Sequence, residues 1–168
     1  MTQPLPAEFQ TLIDVAAARE QLGTDQPAEV WTANALADGQ AMYVNRNEKL
    51  GIDFTVDRLA FPEIQTMDPR LLRIAPGKNN EFHKHAHESI FVVLAGEGEV
   101  RIGDAWRPIG KGSVAFVPRW IFHQTRNTSA SEALVILAIT DFGFTSALLG
   151  DYDRRTRLAQ GGADSNAG

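Results

Sequence analysis

The chain has 168 residues, of which 43% are apolar, enough for one well-filled core and hardly for two, so a single domain is expected. Its 21 acidic and 16 basic residues give a net charge of -5, spread without blocks, which argues against nucleic acid or an anionic membrane as the main partner. With no cysteine, disulfides, thiolate metal sites and a cysteine nucleophile are excluded together, and any metal must bind nitrogen or oxygen.

From Pro6 to Leu22 the apolar positions Phe9, Leu12, Ile13, Ala16 and Ala17 recur at helical spacing, with Gly23 where a helix commonly ends. Between Thr24 and Asp38 helix and strand signals conflict. Gln40 to Val44 and Ile52 to Phe61 read as strands around the polar turn Asn45-Arg46-Asn47-Glu48. From Leu71 the texture changes to short apolar runs: Leu71 to Ala75, Glu81 to His85, Ser89 to Ala95, Glu97 to Ile102, Trp106 to Ile109, Ser113 to Val117, Phe122 to Asn127 and Ala133 to Thr140. Glycine, proline and polar stretches separate them, with Gly96, Gly98, Gly110 and Gly112 read as hairpin-turn glycines needing positive φ. Evenly spaced short strands with no intervening helical period predict an all-β antiparallel barrel or sandwich. Phe144 to Leu149 is read as a short closing helix, and Gln160 to Gly168, rich in Gly, Ala, Ser and Asn, as a poorly ordered tail. The expected division is an amino-terminal extension over 1–62 packing on the barrel, a barrel core over 63–142 and a carboxy-terminal segment over 143–168.

Ser89 to Ala95 and Ala133 to Thr140 are apolar at nearly every position, where a half-exposed strand would alternate. Both faces should therefore be covered, by the amino-terminal segments or by a second copy, and a homodimer is expected. The longest apolar run, Ile90 to Ala95, falls far short of the roughly 18 residues of a membrane span. The amino terminus, with Glu8 and Asp14, lacks the basic and apolar sections of a signal peptide, so a cytoplasmic location is expected.

Three of the four histidines fall in Phe82-His83-Lys84-His85-Ala86-His87, and the fourth, His123, lies on a separate apolar strand. On a strand, residues i and i+2 share a face about 6.5 to 7 Å apart, so His83 with His85, or His85 with His87, can converge on one ion. A lone histidine on an apolar strand is more often a hydrogen-bonded core residue than a ligand. Several imidazoles inside one small barrel, however, would bury many polar nitrogens, and a shared cation satisfies them at once.

Gly77, five residues, His83-x-His85 and later Gly96 resemble the first motif of the cupins. Gly112, five residues, Pro118, four residues, His123, three residues and Asn127 resemble the second. The resemblance implies a cupin β-barrel, jelly-roll-like, with a metal inside held by His83, His85 and His123. Cupins usually add a glutamate ligand four residues after the second motif histidine, and that position here is Ser89. Glu88 stands one residue early, which on a strand turns it to the opposite face unless a bulge intervenes. Trp120 stands where the family often has glycine, and His87 where many cupins carry a non-ligand histidine.

Three neutral imidazoles leave a divalent ion its full charge and open positions. Imidazole suits Fe, Zn, Ni and Cu, with Mn also considered, and Fe(II) open on one face admits substrate and oxygen together. The family contains three-histidine iron oxygenases, so the resemblance implies an Fe(II)-dependent dioxygenase of a small anionic metabolite. Two alternatives stay open: a metal-dependent isomerase or lyase in which Glu81 or His87 moves a proton, and a non-enzymatic small-molecule-binding cupin. By period two, Glu81 accompanies His83 and His85, Phe91 and Val93 accompany Ser89, and Thr125 and Asn127 accompany His123 on the pocket wall. Arg73 is the candidate partner of a substrate carboxylate, so Glu81 and Arg73 are the expected catalytic residues; Arg119 is placed at the rim and Lys84 outside.

Overall fold

The structure, a computed structural model, describes residues 41–59, 61, 64 and 66–149. The expected first helix, the ambiguous stretch after it and the expected tail lie outside the described residues. The strands are β1 (Ala41–Asn47), β2 (Ile52–Arg58), β3 (Asp68–Ile74), β4 (Ser89–Ala95), β5 (Glu97–Ile102), β6 (Ala105–Gly110), β7 (Val114–Val117), β8 (His123–Asn127) and β9 (Leu134–Thr140). A 3-10 turn (Glu48–Leu50) links β1 to β2, and α1 (Phe142–Leu149) closes the described chain. Asn45, Arg46 and Asn47, expected in the turn, extend β1 instead, and the reversal falls at Glu48–Leu50 with Gly51 at φ 65 as its left-handed cap. Among the described residues no helix is long and apolar enough to cross a membrane.

Two antiparallel sheets face each other, one of order β1-β2-β3-β9-β4-β7 and one of order β6-β5-β8. The register defines layers across the large sheet. Asp68, Thr140 and Ser89 form one row from β3 through β9 to β4; Arg70, Ala138 and Phe91 form the next; Leu72, Ile136 and Val93 the one below. The barrel is thus polar at one end and grades into an apolar floor around Ile74, Leu134 and Val100, all buried. Burying that floor is what drives the two sheets together.

β4 and β9 present buried residues on one face and half-buried or exposed ones on the other. Coverage of their outer faces is therefore partial: Ile90 is 44% exposed, and on the edge strand β7 Val114 is 68% and Phe116 52% exposed. The continuous apolar runs reflect a buried inner face plus an outer face that keeps apolar side chains only partly covered.

Two of the hairpin glycines have different causes. Gly96 does turn the chain at φ 77. Gly98 lies inside β5 without a positive φ, and a Cβ there would sit 2.2 Å from the Arg126 carbonyl oxygen and 2.8 Å from Leu134 Cδ2. Glycine at that position lets β5 press against β8 and the floor of the core. Gly98→Ala is expected to cost about 2 kcal/mol through overpacking, lowering the melting temperature by roughly 4–8 °C in a thermal scan.

Candidate metal centre

The histidine-bearing segment is not the regular strand expected over Glu81 to His85. It follows β8 through isolated bridges, Asn79 with Arg126 and His83 with His123. At the second bridge the His83 N–H donates to the His123 carbonyl (3.1 Å) and the His123 N–H to the His83 carbonyl (2.8 Å). Between them the ladder is completed by a side chain: Asn80 Oδ1 accepts the Thr125 N–H at 2.7 Å while the Asn80 N–H donates to the Thr125 carbonyl at 3.1 Å. An irregularity of this kind re-aims side chains. Here it brings His83 and His85 to the same inner face as His123.

The three rings meet. Their centroids lie 5.5 Å apart for His83 and His85, 4.3 Å for His83 and His123, and 4.6 Å for His85 and His123. One nitrogen from each lies within 4.8 Å of the others, and all three residues are buried. Three nitrogens at about 2.1 Å from one first-row ion stand roughly 3.0–3.4 Å apart, so the rings would draw together by somewhat over an ångström at the widest pair to seat a shared ion. Each ring is held by a main-chain carbonyl two residues away. Nδ1–H of His83 donates to Glu81 (2.9 Å), that of His85 to His87 (2.8 Å) and that of His123 to Ile121 (3.0 Å). A carbonyl can only accept, so each neutral ring carries its lone pair on Nε2, the arrangement that orients metal-binding histidines.

Outside the barrel, Phe82 and Phe122 stack across the same bridge with centroids 5.0 Å apart, Arg101 over one ring and Lys84 over the other. The aromatic pair thus braces the histidine pair from behind. Lys84 points outward as expected, and lies 4.8 Å from the Phe122 ring centroid. The following turn is fastened by Arg119, which donates to the Ala86 carbonyl (2.7 Å) and pairs with Asp141 (2.5 Å), while Asp141 accepts the Glu88 N–H (2.7 Å). Trp120, at φ 59 and 47% exposed, donates its N–H to the His85 carbonyl at 2.7 Å and does not line the cavity.

The histidines open into a cavity of about 60 Å³. Its apolar wall includes Phe54, Val56, Leu72, Phe91 and Ala138, its polar wall Arg70, Asn80, Ser89 and Thr140, and among the described residues no carboxylate lines it. His87 also lines it, buried and stacked on His85 at 3.5 Å, but is not among the three residues whose nitrogens converge. Glu88 is exposed, with Arg119 at 3.5 Å, while Ser89 faces inward, so the one-residue offset places the acid outside.

Several expected wall residues lie elsewhere. Glu81 accepts from the Tyr43 hydroxyl (2.7 Å) and Asn45 (2.6 Å) and is not a cavity residue. Arg73 pairs with the buried Asp57 and does not line the cavity; the cationic side chain there is Arg70, held by Asp68 at 2.9 and 2.7 Å and lying over the Phe142 ring. Val93 belongs to the packed core, and Thr125 is fully buried and does not line the cavity. Asn127 instead ties the barrel floor, donating to the Ile74 (3.0 Å) and Glu132 (2.7 Å) carbonyls. Arg70 falls outside the expected strand Leu71 to Ala75, so only a longer reading of β3 with its inward parity would have found it. Asn80→Ala leaves the buried Thr125 N–H without its acceptor and is expected to cost about 2 kcal/mol in urea unfolding.

Residues 70–140 match the cupin-domain family model. Over 80 residues the chain is 28% identical to a 1-hydroxy-2-naphthoate 1,2-dioxygenase of Nocardioides sp. strain KP7, covering 48% of this chain and 21% of that protein. Over 58 residues it is 41% identical to an uncharacterized protein of Aquifex aeolicus, covering 34% of this chain and 46% of the relative. The chain therefore spans less than half the length of each of these relatives. Among solved structures, a cupin-2 domain of Rhodospirillum rubrum aligns with a TM-score of 0.56 at 22% identity, over 69% of this chain and 74% of that one. A cupin 2 conserved barrel domain protein of Rhodopseudomonas palustris aligns at 0.52 and 22% identity, over 59% and 68%. With the motif spacing, the two-sheet barrel and the three converging histidines already in place, residues 70–140 of this chain are a cupin domain.

Proposed function

We propose that this cupin is a metal-dependent enzyme, an Fe(II)-dependent oxygenase of a small anionic metabolite. The observation that carries the reading is the donor set: three imidazoles, each with its lone pair on Nε2, opening into a cavity whose described lining residues include no carboxylate. A ferrous ion held by His83, His85 and His123 would supply open positions at which a substrate and dioxygen react together. The partial likeness to a dioxygenase supports the same class.

The chain's own residues do the rest. The carbonyls of Glu81, His87 and Ile121 hold the rings in one tautomer, which removes a reorganisation step on loading. Arg70, whose Nε and Nη2 are held by Asp68, brings the edge of a guanidinium to the cavity wall, where its positive charge favours an acidic group, the role considered for Arg73. Phe54, Val56, Leu72 and Phe91 exclude water from the opposite wall. Of the two residues considered for moving a proton, His87 alone lines the cavity, and it would serve in the isomerase or lyase alternative.

Metal analysis of protein purified without chelator, followed by oxygen uptake of the iron-loaded form with panels of thiol, diketone and hydroxylated aromatic acids, tests the reading. Stoichiometric metal is expected in the wild type and in Glu88→Gln, and less than a tenth of it in His123→Ala, with oxygen uptake lost in parallel. Turnover without oxygen would replace the oxygenase by the isomerase or lyase. A wild type that binds no divalent ion would remove both.

Ala138 occupies the centre of the row between Arg70 and Phe91, where the rows below carry Ile136 and Leu134. Its small side chain leaves the cavity its room. Ala138→Leu is expected to keep the metal content and abolish binding of any organic substrate, read by calorimetry on the metal-loaded protein. The exposed Ile90, Val114 and Phe116 support a second copy of this chain on the outer face of β4 and β7. Sedimentation should give a dimer for the wild type and a monomer for Phe116→Asp.

A further inference from the structure

We propose that Ser89 is the specificity-determining residue of the cavity, its hydroxyl recognising, together with Arg70, the carboxylate of a compact organic acid. The inference rests on the metal-site reading above and deepens it. Ser89 is 1% exposed, lines the cavity, and its Oγ has no hydrogen-bond partner. A buried hydroxyl left so is destabilising, and an incoming hydrogen-bonding group relieves the loss.

The neighbouring polar groups are differently placed. Thr140 Oγ1 donates to the Asp68 carbonyl and accepts the Phe142 N–H, both at 3.2 Å. Asn80 Oδ1 is taken by the Thr125 N–H. Ser89 stands in the top row with Thr140 and Asp68, and Arg70 opens the next row down, so both face the polar end of the cavity. Arginine can only donate. A single group meeting both Arg70 and Ser89 must therefore be an acceptor, and beside a guanidinium an anionic oxygen is the strong form of one.

The cavity sets the size. At about 60 Å³ it has room for a few waters, so the part of a ligand that reaches Ser89 and Arg70 is a compact acidic group. The position of Ser89 is also where the resembling family carries a glutamate. A neutral hydroxyl there brings no acid of its own, and leaves both the charge and the volume to an acid from outside.

The test reads binding rather than turnover. Wild type, Ser89→Ala, Ser89→Thr and Ser89→Glu are loaded with Co2+ and titrated with glycolate and, in parallel, inorganic phosphate, by calorimetry and the visible cobalt spectrum. Wild type is expected to bind glycolate and not phosphate. Ser89→Ala should keep the cobalt stoichiometry and an equal or higher melting temperature, yet bind glycolate about tenfold more weakly. Ser89→Thr should restore binding, whereas Ser89→Glu should hold cobalt more tightly and bind no glycolate. Equal glycolate affinity in wild type and Ser89→Ala, preference for phosphate, or no binding by the wild type would each overturn the proposal. Absence of oxygen uptake with glycolate binding intact would instead remove the oxygenase reading and leave this one standing.

Discussion

The site depends on one reciprocal pair of main-chain hydrogen bonds, His83 to His123 and back. Residues 79–87 form no continuous ladder, so that pair fixes the histidine end of the segment against β8, as the Asn80–Thr125 bonds fix its start. Two further constraints share the load. Phe82 and Phe122 stack on the outer side of the same bridge, and Asn80 supplies from its side chain an acceptor that the irregular backbone does not present. The result is a loop-like segment held to strand-like precision, which is what a histidine cluster needs: freedom to depart from the pleat, then rigidity once it has departed.

The layering of the large sheet explains why a cavity lies beneath the histidines rather than a packed core. Side chains shrink and become polar toward one end of β3, β9 and β4: Leu72, Ile136 and Val93 give way to Arg70, Ala138 and Phe91, then to Asp68, Thr140 and Ser89. The apolar end supplies the burial that stabilises the barrel. The polar end sacrifices some of that stabilisation, leaving room at Ala138 and an unmatched hydroxyl at Ser89. Such local departures from good packing mark functional ends of domains.

Most of the barrel is legible in the sequence because turn residues punctuate it. β4 and β5 fall at the expected bounds, and β6 to β9 within one residue of them at each end. The misreadings share a cause, that hydrogen bonding between distant residues outweighs local signals. Asp68 to Arg70 stand before the strand expected from Leu71, yet all three lie in β3, where the Pro69 carbonyl accepts the Leu59 N–H. Starting β3 too late hid Arg70 and left Arg73 as the visible cation, although that side chain turns to Asp57. Glu81 shares its segment with His83 and His85, but the segment is not a pleated strand, so counting by twos fails there. The convergence of His83, His85 and His123 was legible because it required only that two motifs be neighbours across a barrel.

The charges around the cavity link cation and anion binding. Among the described residues Asp68 pairs with both Arg70 and Arg58, at 2.7 and 2.9 Å. Arg58 is half exposed and screened by solvent, whereas Arg70 is buried. A divalent ion placed among neutral imidazoles near Arg70 would meet like charge in a poorly hydrated space, and an anion entering with it relieves both. By linkage the relief is reciprocal: whatever the ion gains from the acid, the acid gains from the ion. A glutamate at position 89 would break this coupling by neutralising the ion from within, and a serine preserves it. On the proposed reading, serine in place of an acid at position 89 leaves the charge of a bound ion for an entering acid to offset.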